Sequence, residues 1–242
     1  MKSITYKIDP NGDIELVLNK PNEQNIIPRL RLSTAINYHE GWENFKLRRN
    51  PPCHGRYAIF KKLYKNGKPI AADCKIHIRV SSCHLKFASR VFRVMLEGPW
   101  KEETSSSEPF RQIQATGWDA LAFAIVLDAI HGRHRGIPEE LKTGLVTRIA
   151  TVIDYYECHD ALYVYFEPWK KQDDMSAVSP HVFYKETLLC MYVAWVFSDE
   201  SMLKKMANLV FRQSEGLSQI DTSDIPLGGV LGKISCCLQG NH

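Results

Sequence analysis

The sequence of 242 residues contains no long hydrophobic run and no regular cysteine spacing. Its longest uncharged apolar stretch, Leu188 to Phe197, is far shorter than the ~20 residues that a membrane-spanning helix requires. The seven cysteines are odd in number and scattered, which argues against a disulfide framework. No apolar run follows Met1, so no secretory signal is predicted. We therefore expect an intracellular protein of the nucleus or cytoplasm, with free thiols and no membrane contact.

Sequence patterns of catalytic and metal sites are also missing. There is no G-x-S-x-G turn and no known cysteine-nucleophile pattern, so we predict no enzyme, no catalytic residue and no cofactor. The candidate metal ligands are Cys53-His54, Cys74, His77 and Cys83-His84. Structural zinc sites usually pair their ligands across a tight turn, whereas Cys74 and His77 are three apart on a predicted strand and so point to opposite faces. We therefore predict no metal site.

The composition that is present suits a folded domain with one unusual segment. Hydrophobic residues make up 44% of the chain, which is ample for a packed core. The net charge is only +4, but residues 19–74 hold eleven Lys or Arg and four acidic residues. This segment has no sustained period and several prolines, so it is predicted to be an insertion, from 20 to 74. Any binding to a polyanion is expected there.

The stretch from Lys75 to Gly98 predicts a strand followed by a helix. Alternate residues of its first part are apolar, as in a half-buried strand, namely Ile76, Ile78 and Val80. Ser81 and Ser82 are expected to cap the helix, and Gly98-Pro99 is expected to end it.

That predicted helix carries two apolar stripes at 100° per residue. The first stripe is expected in the core and consists of Leu85, Ala88, Phe92, Met95 and Leu96. The second consists of Phe87, Val91 and Val94, with Arg90 beside them. A helix on one side of a core needs only one stripe, so the second must meet other parts of the chain or a partner. We predict that Phe87, Arg90, Val91 and Val94 bind a protein partner; the alternative is that the insertion or the C-terminal helices cover them.

Further elements follow from local patterns. Strands are predicted at 13–18 and 110–115, and a helix buried on all sides at 118–130. A helix is expected to begin at Pro138 and to continue to Tyr156. Helices are also predicted after His159, at 180–197 and at 199–213. Within the insertion, Tyr57, Phe60 and Tyr64 have helical spacing, although Asn66-Gly67 is equally suited to a hairpin.

Four segments, in order, resemble BTB/POZ domains and are most similar to the fungal branch. VSSCHLKFASRVFRVMLEGPWKE resembles the strand-to-helix segment with its V-S-S-x-x-L-x-x-A-S-x-V-F-x-x-M-L pattern, and GDIELVL resembles the first strand. WDALAFAIVLDAIHGR resembles the second helix, and LVTRIATVIDYYECHDAL the helix pair with Ala150, Asp154 and Tyr156 in an A-x-x-x-D-x-Y segment. The chain departs from the family in its long insertion and in having Ser81-Ser82 where animal members often have His-Lys.

The resemblance implies an α+β domain over residues 7–172, with a small sheet flanked by helices and the insertion between its first two strands. A helical extension at 175–214 and a flexible tail at 215–242 are expected to follow. The implied function is that of a non-catalytic protein-interaction module, which is expected to self-associate and to act as a scaffold or regulatory adaptor.

Two other functions stay open from the sequence. Some BTB proteins are substrate adaptors of cullin-type ubiquitin ligases, which is the first alternative. The second is binding of nucleic acid or an acidic partner through the insertion, because cations can track phosphates while aromatic rings stack on bases. The cations concerned are Arg48, Arg49, Arg56, Lys61, Lys62 and Lys65. We expect a solvated loop there in preference to a nucleic-acid site.

Overall fold

The computed structural model describes residues 2–26, 29–30, 53–65, 68–98, 110–171, 175, 185–213, 220–222 and 224–227. Arg48 and Arg49, two of the candidate nucleic-acid contacts, lie outside these ranges. The strands are β1 (Lys2–Lys7), β2 (Ile14–Asn19), β3 (Arg29–Leu30), β4 (Tyr64–Lys65), β5 (Lys68–Pro69), β6 (Cys74–Val80), β7 (Arg111–Thr116) and β8 (Ile220–Asp221). The α-helices are α1 (Ser82–Ala88), α2 (Arg90–Glu97), α3 (Ala120–Ile130), α4 (Thr143–Tyr156), α5 (Tyr163–Lys170), α6 (Lys185–Val196) and α7 (Glu200–Gln213).

A four-stranded sheet in the order β1-β6-β2-β7 and several helices give a mixed α+β fold. Strand β6 is antiparallel to β2, whereas β1 runs parallel to β6 and β7 parallel to β2. The register places Ile76 and Ile78 of β6 opposite Leu18 and Leu16 of β2, and all four side chains are fully buried. The strands predicted at 13–18, 75–80 and 110–115 are confirmed. Strand β1 was missed, although Ile4 and the following apolar residues alternate with polar ones as a strand requires.

The loop between β1 and β2 crosses the end of β6 at very short range. A Cβ atom on Gly12 would lie 2.3 Å from the carbonyl oxygen of Val80, so only glycine fits there without a backbone shift. The Nε of Arg79 donates to the Gly12 carbonyl at 2.9 Å and holds the crossing in place. Since Val80 lies two residues before α1, this loop helps to position the start of that helix.

We expect Gly12→Ala to lower the free energy of unfolding by about 1–3 kcal/mol, because the backbone at Val80 must move away from the new methyl group. Urea denaturation followed by circular dichroism measures the change. Gly136→Ala is the matched control, since a Cβ atom there meets the flexible side chain of Arg56, at 3.0 Å, and no backbone atom. A Gly12→Ala protein as stable as the wild type would contradict the close approach.

The single helix predicted after Ser82 is wrong, because Ser89 interrupts it. Ser89 has an extended backbone (φ −140°, ψ 123°) and separates α1 from α2. Its Oγ accepts a hydrogen bond from the amide of Phe92 at 3.0 Å and donates to the carbonyl of Tyr156 at 2.5 Å. The side chain therefore caps α2 and ties it to the end of α4. One helical wheel cannot describe both helices, although Gly98 ends α2 as expected.

The predicted serine caps of α1 are replaced by a carboxylate. Ser82 donates two hydrogen bonds to the Asp13 carboxylate. Its amide donates to Oδ1 at 2.7 Å, and its hydroxyl donates to Oδ2 at 2.6 Å. The expected cap hydrogen bond from the Ser81 side chain does not form. The start of α1 is thus held from the β1–β2 loop.

Helix α3 is buried along its whole length, as predicted, and Asp119 caps it by accepting the amides of Leu121 and Ala122. The prediction that α4 begins at Pro138 is wrong, since it begins at Thr143. The Pro138 carbonyl accepts a hydrogen bond from Nε1 of Trp169 at 2.9 Å.

Residues 53–63 of the insertion contribute to the main core. Cys53, Tyr57, Phe60 and Leu63 are buried in the same cluster as the sheet. The two alternatives hold for different residues: a 3-10 helix spans Gly55–Leu63 and includes Tyr57 and Phe60, whereas Tyr64 lies in β4, which pairs antiparallel with β5. Asn66-Gly67 lies outside the described residues.

Asn22 joins this hairpin to α3. Its backbone is left-handed (φ 67°). The Nδ2 of its side chain donates to the carbonyls of Leu63 and Ile70, and its Oδ1 accepts a hydrogen bond from the backbone amide of Ala120. Because Asn tolerates this conformation well, the residue suits a turn that must also supply three hydrogen bonds.

Part of the tail predicted to be flexible is packed. Strand β8 pairs antiparallel with β3, and Ile225 and Leu227 are buried. The prediction of a free tail is therefore wrong for residues 220–222 and 224–227, because these apolar side chains leave water by joining the core.

Candidate protein-interaction surface

The second apolar stripe lies at the corner between α1 and α2, and we call Phe87, Arg90, Val91 and Val94 the association surface. Phe87 is 88% exposed and Val94 is 58% exposed, while Val91 packs partly against the core. The first stripe faces inward as predicted, since Leu85, Phe92 and Leu96 are buried and Ala88 and Met95 are partly buried. Two large apolar side chains of this corner thus remain in contact with solvent.

Charged side chains around the association surface pair within the chain. Arg90 forms a bidentate ion pair with Glu157, with Nε–Oε2 and Nη2–Oε1 distances of 2.7 and 2.9 Å. The Arg90 guanidinium holds the pKa of the Glu157 carboxyl below its usual value. Arg93 donates through Nε and Nη2 to the carbonyl of Lys86, and Lys86 lies 3.4 Å from Glu97. A partner docking here would meet charges that already have counterparts, which reduces the cost of removing water.

An imidazole buttresses the start of α1. The amide of Ser81 donates to Nε2 of His131 at 3.0 Å, and Nδ1 of the same ring lies 2.7 Å from the carbonyl oxygen of Leu127. The ring of His84 stacks on His131 with a centroid distance of 4.9 Å. Burial lowers the pKa of His131. Burial raises the pKa of the neighbouring Asp13 carboxyl, but hydrogen bonds from Ser82 outweigh it and hold that pKa below its usual value.

The described nucleic-acid candidates of the insertion lack the accessible aromatic rings that base stacking requires. The aromatic residues interpreted as stacking platforms are not available for bases, because Tyr57 and Phe60 are buried and Tyr64 donates its hydroxyl to Asp119 at 2.7 Å. Arg56 forms an ion pair with the buried Asp128, with Nη2 at 3.1 Å from Oδ1. The remaining described candidates are exposed cations, namely Lys61, Lys62 and Lys65. The part of this alternative that required accessible rings is therefore wrong for Tyr57 and Phe60.

The candidate metal ligands on β6 point to opposite faces, as predicted. Cys74 is buried on the apolar face, whereas His77 lies on the polar face with Nδ1 3.1 Å from Oε2 of Glu15. Across the ranges that the structure describes, no three His, Cys, Asp or Glu residues come together in a metal-binding arrangement.

Sequence reasoning missed an ionic cluster beneath β1. Asp128 is completely buried in α3, accepts the hydroxyl of Tyr6 at 2.6 Å and lies 3.1 Å from Nη2 of Arg56. The Arg56 guanidinium also lies over the Tyr6 ring, 5.0 Å from its centroid. Burial raises the pKa of Asp128. The sequence does indicate this cluster, since Asp128 is the only charged residue between Leu121 and Ile130 and a charge in so apolar a helix requires a partner.

Comparison with known proteins assigns no family. The chain matches no protein-family model, and no curated protein shows a significant sequence match to it. In the described part of the chain, every helix is too short or too polar to traverse a bilayer. Function is therefore inferred from the fold and from the association surface.

Proposed function

We propose that this chain is a BTB/POZ-like protein-interaction module that self-associates through the association surface. It acts without catalysis, as a scaffold or regulatory adaptor. The order of elements supports this proposal, because the resembling segments form strands and helices in the expected order, although β1 precedes the first of them and Ser89 divides the helix after β6. These segments form β2, the unit β6-α1-α2, helix α3, and α4 followed by the helical residues after His159.

The exposure of Phe87 carries the proposal. Its immediate neighbours in the first stripe, Leu85 and Phe92, are fully buried, so the exposed ring is not needed for the chain's own core. Burying an apolar side chain of this kind contributes about 1.5–3 kcal/mol. A contact with a second copy would bury Phe87 and Val94 from both chains at once.

The charges around the surface favour a second copy as the occupant. Arg90 with Glu157 and Lys86 with Glu97 form ion pairs within the chain, so charges of both signs lie at this surface and largely balance. In a twofold contact the same patch appears on both sides, so one balanced patch would face another. A patch of one sign would repel its own copy, and this surface avoids that repulsion.

Sedimentation or light scattering of the full chain tests self-association. We expect twice the monomer mass for the wild type and the monomer mass for Phe87→Asp and Val94→Asp, because a buried unpaired carboxylate opposes the contact. Tyr163→Asp and Val164→Asp are matched controls on α5, where the original side chains are 67% and 68% exposed. These controls should keep the wild-type mass. A monomeric wild type, or equal losses in variants and controls, would contradict the proposal.

The other two functions have less support. The cullin-adaptor role stays a prediction, which co-purification of a cullin with the tagged chain would test. For nucleic acid, the exposed Lys61, Lys62 and Lys65 offer electrostatic attraction only, because Tyr57 and Phe60 are buried.

A further inference from the structure

We propose that His131 is a pH-responsive latch on α1, and that protonation of its imidazole weakens self-association. The second part rests on the proposed function, whereas the latch itself is a property of the single chain. The proposal concerns regulation of the association surface, since α1 carries Phe87.

The hydrogen bonds of His131 require the neutral ring. The Leu127 carbonyl can only accept, so Nδ1, at 2.7 Å, must carry a proton. The Ser81 amide can only donate, so Nε2, at 3.0 Å, must be free of one. A protonated imidazole has N–H groups on both nitrogens, which would place two donors face to face at Ser81. Protonation therefore removes the bond between His131 and the residue that precedes α1.

Charged groups around His131 affect how readily its ring is protonated. His84 on α1 stacks on the ring at a centroid distance of 4.9 Å, so the two imidazoles repel each other when both are protonated. Asp9, in the β1–β2 loop, is the acid that favours the protonated form. Burial has the largest effect and lowers the pKa of His131.

The sign of the pH effect follows from this lowered pKa. An unperturbed histidine titrates near pH ~6.5, so the unfolded chain binds the proton first as the pH falls. Stability is therefore lost as the pH falls from about 6.5 towards the lower pKa of the folded state. The second anchor of α1, Asp13 bound to Ser82, stays ionised in this window because its pKa is below the usual carboxyl value. The folded chain loses the His131 anchor only once the pH reaches this lowered pKa.

The latch is tested first in a monomer, using Phe87→Asp as the background. Nuclear magnetic resonance follows the His131 ring and the protection of the Ser81 amide, after correction for intrinsic exchange, as the pH is lowered from 7.5 until the ring has titrated. We expect protection at Ser81 to fall as His131 titrates. In a His131→Gln variant, whose amide oxygen can accept the same bond without titrating, protection should not change with pH. His84→Gln should raise the pKa of His131, because it removes a neighbouring cation.

The link to association is tested separately on the full chain with Phe87 intact. We expect its dissociation constant, measured by sedimentation, to increase about fivefold or more between pH 7.5 and 5.5, and to change less in His131→Gln. Ser81 protection that does not change as His131 titrates would overturn the latch, whatever the oligomeric state. Protection that falls in a chain that is monomeric at both pH values would keep the latch and overturn self-association. A dimer with a pH-independent constant would overturn the link between them.

Discussion

Phe92→Ala is expected to lower the free energy of unfolding by about 3–5 kcal/mol, because it opens a cavity in the core. The ring is fully buried and stacks on Tyr156 with a centroid distance of 4.2 Å and an interplanar angle of 10°. Urea denaturation at low protein concentration, where association is negligible, measures the loss.

Phe87→Ala is the matched control, because the same side chain is removed five residues away at 88% exposure. We expect it to change the stability of the monomer by less than about 0.5 kcal/mol. At high protein concentration, where the wild type associates, Phe87→Ala should lower the stability relative to the wild type, since folding and association are linked. Similar losses for the two variants at low concentration would show that the corner between α1 and α2 is packed differently.

Asp128→Ala is expected to cost about 3 kcal/mol, because it removes a buried acceptor and leaves its partners unpaired. The carboxylate is inaccessible to solvent, and the Tyr6 hydroxyl that binds it is itself in a buried residue. Arg56 is 26% exposed along its side chain and can turn partly towards water, which limits the loss. Thermal or urea denaturation measures the change, with the exposed Asp160→Ala as a control within about 0.5 kcal/mol of wild type.

A double-mutant cycle with Arg56→Ala isolates the ion pair. Groups in direct contact typically show coupling energies of about 0.5–3 kcal/mol, and we expect a favourable value in this range. Additive losses in Arg56→Ala, Asp128→Ala and the double variant would mean that Arg56 and Asp128 act independently.

The elements that sequence patterns predicted well are those with one clear apolar face. The alternation in β2 and β6 and the continuous apolar character of α3 depend only on which side chains avoid water, and this preference is local. The same reasoning separated Phe87 and Val94 from Leu85 and Phe92, which the structure places outside and inside the core. The separation held even though the helix is broken at Ser89.

The elements that were mispredicted depend on partners far along the chain. At Ser89, where α1 ends, the hydroxyl donates to the carbonyl of Tyr156, 67 positions away. Near Pro138, where the helix was expected to begin, the carbonyl accepts a hydrogen bond from Nε1 of Trp169, 31 positions away. Local patterns do not contain the position of either distant partner.

By itself, the sequence determined the inward face of β2, β6 and α3 and the apolar side chains left exposed at the corner between α1 and α2. These properties follow from hydrophobicity and from the periods of helix and strand. Only the tertiary structure decided which polar groups meet, such as the Tyr6 hydroxyl with Asp128, 122 positions apart, or Ser81 with His131. The physical reason is that a hydrogen bond requires two groups within about 3 Å, and the path of the whole chain sets that distance.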